Sequence, residues 1–434
     1  MKIAYPDRNM RWPLWQRVLF RVVFIYWALY CFPAQWFEEI PFFDFINEWY
    51  ISVNSWVVGL ANKYLLHVKD ELVPISGSGD TSFAWAQLYF YLITALLGGL
   101  IWSVIQRKKE HHNQLFYWLA LLVRYNLIYY CLFYGIIKMF LQQMPFPDYN
   151  ALSTPLGNLS PMRLTWHYIG YSAPYQFFGG FFEFTAGVLL LFRRTITIGL
   201  LVAVVVLAQV VLLNFCYDIP VKLLSLHLLL QCMFLLVLER RRFLDFFLNR
   251  VAAPSQTFYL VLNARWLLVG RILLKGIFVF IFIGVVAFLQ LKELIKSGQN
   301  KEVGAVIMPG RYNVQVYLVN NEPRIAPADS LRRSIIFRPN GTATFNIMDS
   351  LFFNRESLGF FHYIPDTASS MVRFKLAPTR SDNVFVLRYR RMGSDRLILD
   401  GWVRKDTLHI EMERDLNQFK LSKKPFHWMN ESIP

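Results

Sequence analysis

Ionisable side chains are scarce in this chain, which is 55% hydrophobic and 17% charged, and the few inside its apolar runs are the residues with chemistry to offer. The densest group is Asn214-Phe-Cys-Tyr217-Asp218-Ile-Pro-Val-Lys222, followed by Ser225 and His227, where the apolar runs 195–215 and 223–238 meet. Lys138 and Glu183 stand inside two further runs. A charge in hydrocarbon is costly unless it is paired or neutralised, so such residues mark proton relays, ligand counter-ions or structural pairs. Lys138, Glu183 and His227 are the candidate catalytic residues. Tyr134, Asn214, Tyr217, Asp218, Lys222 and Trp166 are the candidate ligand-binding residues around them.

Each has a plainer reading beside the chemical one. Lys138 near a run's end is the pattern of a lysine snorkelling to an interface. Glu183 lies between Gly180 and Gly187, on a face small enough for another helix to approach closely. A Lys138–Glu183 bond there either fixes helix register or handles protons. His227 is either a satisfied core histidine or, with Asp218 and Lys222 above it, a group that titrates near neutrality. No second His or Cys stands at ligand spacing, which argues against zinc. Arg124 lies deep on the inner side and suits a headgroup or carbonyl anchor, whereas Arg271 and Lys275 read as inner-interface snorkellers.

The elements that must position these groups are long apolar helices. Seven runs approach the ~20 residues needed to cross a bilayer: 14–31, 83–105, 115–141, 175–192, 195–215, 221–238 and 266–289. At ~1.5 Å per residue, Lys138, Glu183, Asn214, Asp218, Lys222 and His227 all fall in the outer half of such a bundle, where a common pocket is expected. The aromatic stretch 42–66 is interrupted by charges and suits an interfacial or bundle-capping helix. Prolines 145, 147, 155 and 161 mark a structured loop ending in Trp166, His167 and Tyr168, a candidate roof. The formal charge of +16 sits largely beside the apolar runs, pointing to lipid headgroups and topology rather than nucleic acid. Placing the basic clusters inside puts the N-terminus in the cytoplasm and residues 301–434 outside, as expected for a multi-pass inner-membrane protein with a periplasmic domain.

From about residue 310 the apolar period changes to two. Asn340-Gly341 between 335–337 and 342–345 is a hairpin signal. About eight short strands predict an antiparallel barrel or sandwich. The expected organisation is a two-span region with an interfacial outer segment (1–113), a four-span core (114–250), a seventh span and linker (251–300) and a β-domain (301–434). The four cysteines, Cys31, Cys131, Cys216 and Cys232, form no CxxC pair.

Tyr134-Gly-Ile-Ile-Lys138 at the end of a run, Gly180-Phe-Phe-Glu183-Phe-Thr-Ala-Gly187 in the next, and the paired arginines 193 and 194 after it resemble the DoxX-like family of membrane proteins. The elements Pro155-Leu-Gly, Ser160-Pro161-Met162 and Tyr217-Asp-Ile-Pro-Val-Lys222 resemble a larger bacterial DoxX-like protein. The resemblance covers the four-helix unit 117–238 and implies a membrane redox role, quinone-coupled or in thiol maturation. The missing CxxC departs from thiol exchange, and no haem or flavin motif is visible; the cofactor stays open, with a quinone as the one the resemblance implies. Three functions fit: a quinone-linked redox component, a non-enzymatic membrane subunit whose β-domain recruits an envelope partner, or an acid/base enzyme on a lipid-like substrate with Lys138 as base.

Overall fold

The structure is a computed structural model and describes residues 2–4, 11–32, 36, 43–74, 79–148, 151–152, 154–240, 244–245, 248, 259–261, 264–299, 307–323, 334–338, 341–347, 359–376, 384–416 and 421. The chain divides into two units, residues 1–146 with 159–290, and residues 147–158 with 291–434.

The first unit is helical. Helix α1 (Leu14–Tyr30) follows Pro13. Helix α2 (Asp44–Ala61) runs into a π-helical turn, Asn62–Leu66, and stops where His67 turns left-handed at φ 50°. Helices α3 (Ser82–Ile105) and α4 (Asn113–Met139) come next. Helix α5 (Pro161–Tyr171) has Ser160 as its N-cap and Pro161 in its first turn, the pairing that favours a helix start. Trp166, His167 and Tyr168 therefore lie on a helix rather than in the loop expected from the surrounding prolines. Helices α6 (Ala173–Leu191), α7 (Ile196–Cys216) and α8 (Lys222–Leu238) complete a consecutive set. Helix α9 (Arg265–Val279) continues through a π-helical stretch, Phe280–Val285, into α10 (Val286–Gln299). Strands β1 (Lys2–Ala4) and β2 (Tyr259–Val261) pair antiparallel.

All seven expected runs are helical. Among the described residues four helices are long and apolar enough to cross a membrane: Ser82–Ile105, Asn113–Met139, Ile196–Cys216 and Arg265–Ile295; Lys222–Leu238 is a shorter apolar helix. Large apolar side chains on α2 and α3 point outward, among them Trp49 and Trp56 on α2 and Leu96, Leu97 and Ile101 on α3.

Two contacts decide how the bundle closes. At the α4–α6 crossing Gly135 and Gly180 bring the backbones together. A Cβ on Gly180 would stand 2.6 Å from the Gly135 carbonyl oxygen, and one on Gly135 would stand 2.6 Å from the Phe184 nitrogen. At the other end, buried Arg21 of α1 donates from Nε to His112 Nε2 (3.0 Å) and from its terminal nitrogen to the Gln106 carbonyl (2.9 Å). Burial and the adjacent Arg21 hold the His112 imidazole down at about 4, so the neutral ring accepts this bond at physiological pH.

The second unit is a β-barrel. Strands β3 (Gly310–Val319), β5 (Ser334–Phe337), β6 (Thr342–Asn346), β7 (Phe360–Asp366), β8 (Met371–Leu376), β9 (Val384–Met392), β10 (Arg396–Val403) and β11 (Asp406–Arg414) are antiparallel neighbours, and β4 (Glu322–Pro323) adds a short edge to β3. Pairing of β11 with β3, from Leu408 opposite Val319 to Arg414 opposite Tyr312, closes the ring of eight strands among the described residues. Closure excludes the sandwich alternative. Phe337, Phe345, Tyr363 and Phe374 are fully buried inside, so the barrel is packed with side chains. Strands β5 and β6 pair Phe337 with Ala343 across the expected hairpin, where Gly341 takes φ 75°; Asn340 lies outside the described residues. Asp148, from the stretch between α4 and α5, pairs with Arg338 of this unit at 2.7 Å.

The glycine crossing carries an internal control. Gly180→Ala should destabilise the bundle by about 1–3 kcal/mol, because backbone atoms have to move. Gly179→Ala, with nothing within 4 Å, should be neutral or slightly stabilising. Thermal unfolding of both variants in the same detergent checks this.

Candidate functional site

Lys138 stands in the last turn of α4 and Glu183 in the middle of α6, opposite each other beside the Gly135–Gly180 contact. The Lys138 ammonium donates to Glu183 Oε1, with side-chain exposures of 13% and 5%. The other carboxylate oxygen, Oε2, is buried with no hydrogen-bond partner among the described residues. Tyr134, one turn before Lys138, and Cys131 both lie within electrostatic reach of Glu183. Close approach of the helices explains the pairing. Without Cβ atoms at 135 and 180 the backbones meet, and the two long side chains then span the short remaining gap in a largely buried position.

His227 occupies a separate setting. On α8, its Nδ1 faces the Leu223 carbonyl at 2.6 Å and its Nε2 faces the Tyr26 hydroxyl of α1 at 2.5 Å. A carbonyl only accepts, so Nδ1 carries the proton and Nε2 accepts from Tyr26. The Tyr30 ring stacks on the imidazole at 4.1 Å and 8°, and Trp27 meets it edge-on at 6.2 Å. One turn along α8, buried Gln231 accepts from Asn126 of α4 (3.2 Å) and donates to Cys31 of α1 (3.5 Å). Polar side chains thus tie α8 to both α1 and α4.

The junction between α7 and α8 is held by its own polar groups. Lys222 Nζ donates to Asp218 at 2.6 Å, while Asp218 takes φ 50° and leaves its side chain 81% exposed. Buried Asn214 donates to the Val221 carbonyl at 3.4 Å. Asp80, from the segment before α3, accepts from the backbone nitrogens of Lys222 (2.8 Å) and Leu223 (3.0 Å), and Gly79 donates to the Pro220 carbonyl (2.9 Å). A carboxylate on the first amides of α8 satisfies donors that the helix itself leaves unmet and complements the helix dipole.

The expected common pocket therefore separates into three clusters. Lys138 and Glu183 meet, with Tyr134 near them. Asn214, Asp218 and Lys222 close the α7–α8 hairpin, with Tyr217 part-exposed beside them. His227 faces α1. Among the described residues no hydrogen bond or ion pair joins one cluster to another, and Trp166 sits half-buried on α5. No group of three or more His, Cys, Asp or Glu suited to a metal occurs among the described residues, and the four cysteines are free thiols. Arg124 and Lys275 share the Leu191 carbonyl, at 3.5 and 2.7 Å. Arg124 is thus a carbonyl anchor, and Lys275 caps the end of α6 rather than only reaching for the interface.

No family model and no solved structure matches the chain. A Bacillus subtilis (strain 168) protein described as "Uncharacterized protein YwoB" is 40% identical to it over 84 residues, which are 19% of this chain and 54% of that protein. The chain thus spans about half the length of this relative.

Sequence reasoning missed Tyr26, Tyr30 and Asp80. The first two carried a weak signal, a tyrosine pair at i and i+4 on one helical face. Asp80 carried none, since its partners lie 142 and 143 positions away.

Removing one partner of a buried pair should be far costlier than removing both. Glu183→Gln leaves a buried ammonium without its counter-charge and should cost about 3–5 kcal/mol of stability. Lys138→Met combined with Glu183→Leu should fall within about 1–2 kcal/mol of the parent. Melting in detergent measures both, and equal losses would mean the pair is not buried as described.

Proposed function

We propose that the chain is a DoxX-like multi-pass protein of the bacterial inner membrane, in which the Lys138–Glu183 pair exchanges protons with a quinone. In this reading α1, α3, α4, α6, α7, α8 and the α9–α10 helix are seven spans, the N-terminus is cytoplasmic, and the barrel is periplasmic. The observation that carries the chemistry is the half-satisfied Glu183 carboxylate, buried beside a lysine that has donors to spare. An ammonium has three donors, and among the described residues one is used, by Glu183. These groups would fit the two forms of a quinone headgroup: Lys138 would donate to a carbonyl of the oxidised ring, and Glu183 Oε2 would accept from a hydroxyl of the reduced ring. A bound quinone supplies the electron-carrier chemistry; the protein orients the ring and holds or moves the proton at Glu183. Tyr134 lies within electrostatic reach of Glu183 and would feel any change in its charge. The Tyr26–His227 pair is a second proton-handling group, whose imidazole is kept in one tautomer by the Leu223 carbonyl.

A second reading rests on the Gly135–Gly180 contact. The ion pair beside it locks the register of α4 and α6, and the chain is a non-enzymatic membrane subunit whose barrel recruits an envelope partner. Binding separates the two. Protein in nanodiscs should bind a short-chain quinone analogue saturably. Lys138→Met with Glu183→Leu should weaken binding by at least about tenfold, the loss of one charged hydrogen bond. Asp218→Asn should leave it unchanged. Absence of saturable binding, or full binding by the folded double variant, would favour the structural reading.

A further inference from the structure

Packing of the barrel does not account for one stretch of its outer wall. Register sets Ile364 of β7 beside Arg373 of β8, Arg373 beside Val386 of β9, and Val386 beside Trp402 of β10. Their alternating neighbours Val372, Phe374 and Leu387 are fully buried in the interior, so this row faces outward. Ile364, Val386 and Trp402 are 64%, 42% and 63% exposed. The adjoining rows set Arg388 beside Met371 and Lys375 beside His362, and both cations are exposed.

Charge on the two central strands of this face is one-sided. Strands β8 and β9, MVRFKL and VFVLRYRRM, hold five Arg or Lys and no Asp or Glu. Arg373, Lys375 and Arg388 form no ion pair among the described residues. Two acids border the row: Asp400 stands opposite Arg388 in register, and Asp366 lies within electrostatic reach of Arg373. Asp400 is held by His409 at 2.5 Å and Arg390 at 3.0 Å, and Asp366 accepts from Ser369 at 2.6 Å and the Ala368 nitrogen at 3.0 Å.

We propose that this face of the barrel docks on an anionic lipid bilayer, with Trp402, Val386 and Ile364 entering the headgroup zone and Arg373, Lys375 and Arg388 binding lipid phosphates. Indole and aliphatic side chains ringed by cations suit that zone, which is apolar on one side and wet and charged on the other. The occupant is also tethered within reach, because the same chain carries four helices fit to cross a membrane. Tethering raises the effective concentration of the bilayer, so a weak face suffices.

The test uses the full chain in nanodiscs of phosphatidylcholine alone or with phosphatidylglycerol, with arginine modification by phenylglyoxal followed by mass spectrometry. Arg373 and Arg388 should be modified about fivefold more slowly with phosphatidylglycerol, the effect of one cation at an anionic surface. Arg396, at the far end of β10, should react equally in both. High salt should abolish the protection, and so should Trp402→Ser with Ile364→Ser, which leaves the barrel interior intact. Equal modification in the two lipids would overturn the proposal. Protection seen only on adding polyphosphate to neutral nanodiscs would overturn it in favour of an anionic polymer, and protection that rises with protein concentration would do so in favour of a second copy.

Discussion

The α4–α6 crossing in the helical unit depends on one close contact, Gly135 against Gly180, where the two helices meet backbone to backbone. Helix association in lipid gains little from the hydrophobic effect, since the surroundings are as apolar as the side chains. Packing and polar contacts have to supply the attraction. Two facing glycines supply the first by letting the backbones touch, and Lys138 with Glu183 supplies the second. Each explains the other. The ion pair is sheltered where the helices come close, and a slip in register would strand two buried charges.

Similar logic recurs around the bundle with weaker chemistry. Asp80 caps α8 from a distant segment, Gln231 bridges α1 and α4, and Arg124 and Lys275 converge on the last carbonyl of α6. Each uses a polar side chain to satisfy a helix end or a neighbouring helix where water is scarce. The barrel follows a different rule. Its interior is aromatic and aliphatic and is held together by packing. The two units solve the same problem, satisfying every backbone group, one within each helix and the other by closing the sheet.

Much of this was legible in the sequence, and the limits are physical. Apolar run length is a local property, so the apolar helices were placed to within a few residues at most of their ends, whereas the proline-flanked α5 read as a loop and the last helix runs ten residues past the expected 289. Alternation at period two likewise revealed the strands, but closure depends on β11 reaching β3, a pairing that no local pattern encodes. Glu183 between Gly180 and Gly187 signalled a tight crossing, and Lys138 was its natural partner. His227 was legible as a buried titratable group, whereas Tyr26, 201 positions away, was not. Shared depth suggested one pocket because depth along a helix can be counted from sequence. Rotation about the helix axis is set by packing, and it turns His227 toward α1.

The central claim is that the Glu183 carboxylate, pinned beside the glycine crossing, changes protonation when the protein works. Infrared difference spectroscopy on nanodisc-embedded protein carrying a quinone analogue, recorded across its reduction, reads that change directly. The account predicts a carboxylic-acid carbonyl band that is present in the parent and absent in Glu183→Gln, with the helical amide signal unchanged in both. A difference spectrum without such a band, or one that survives the substitution, would contradict it.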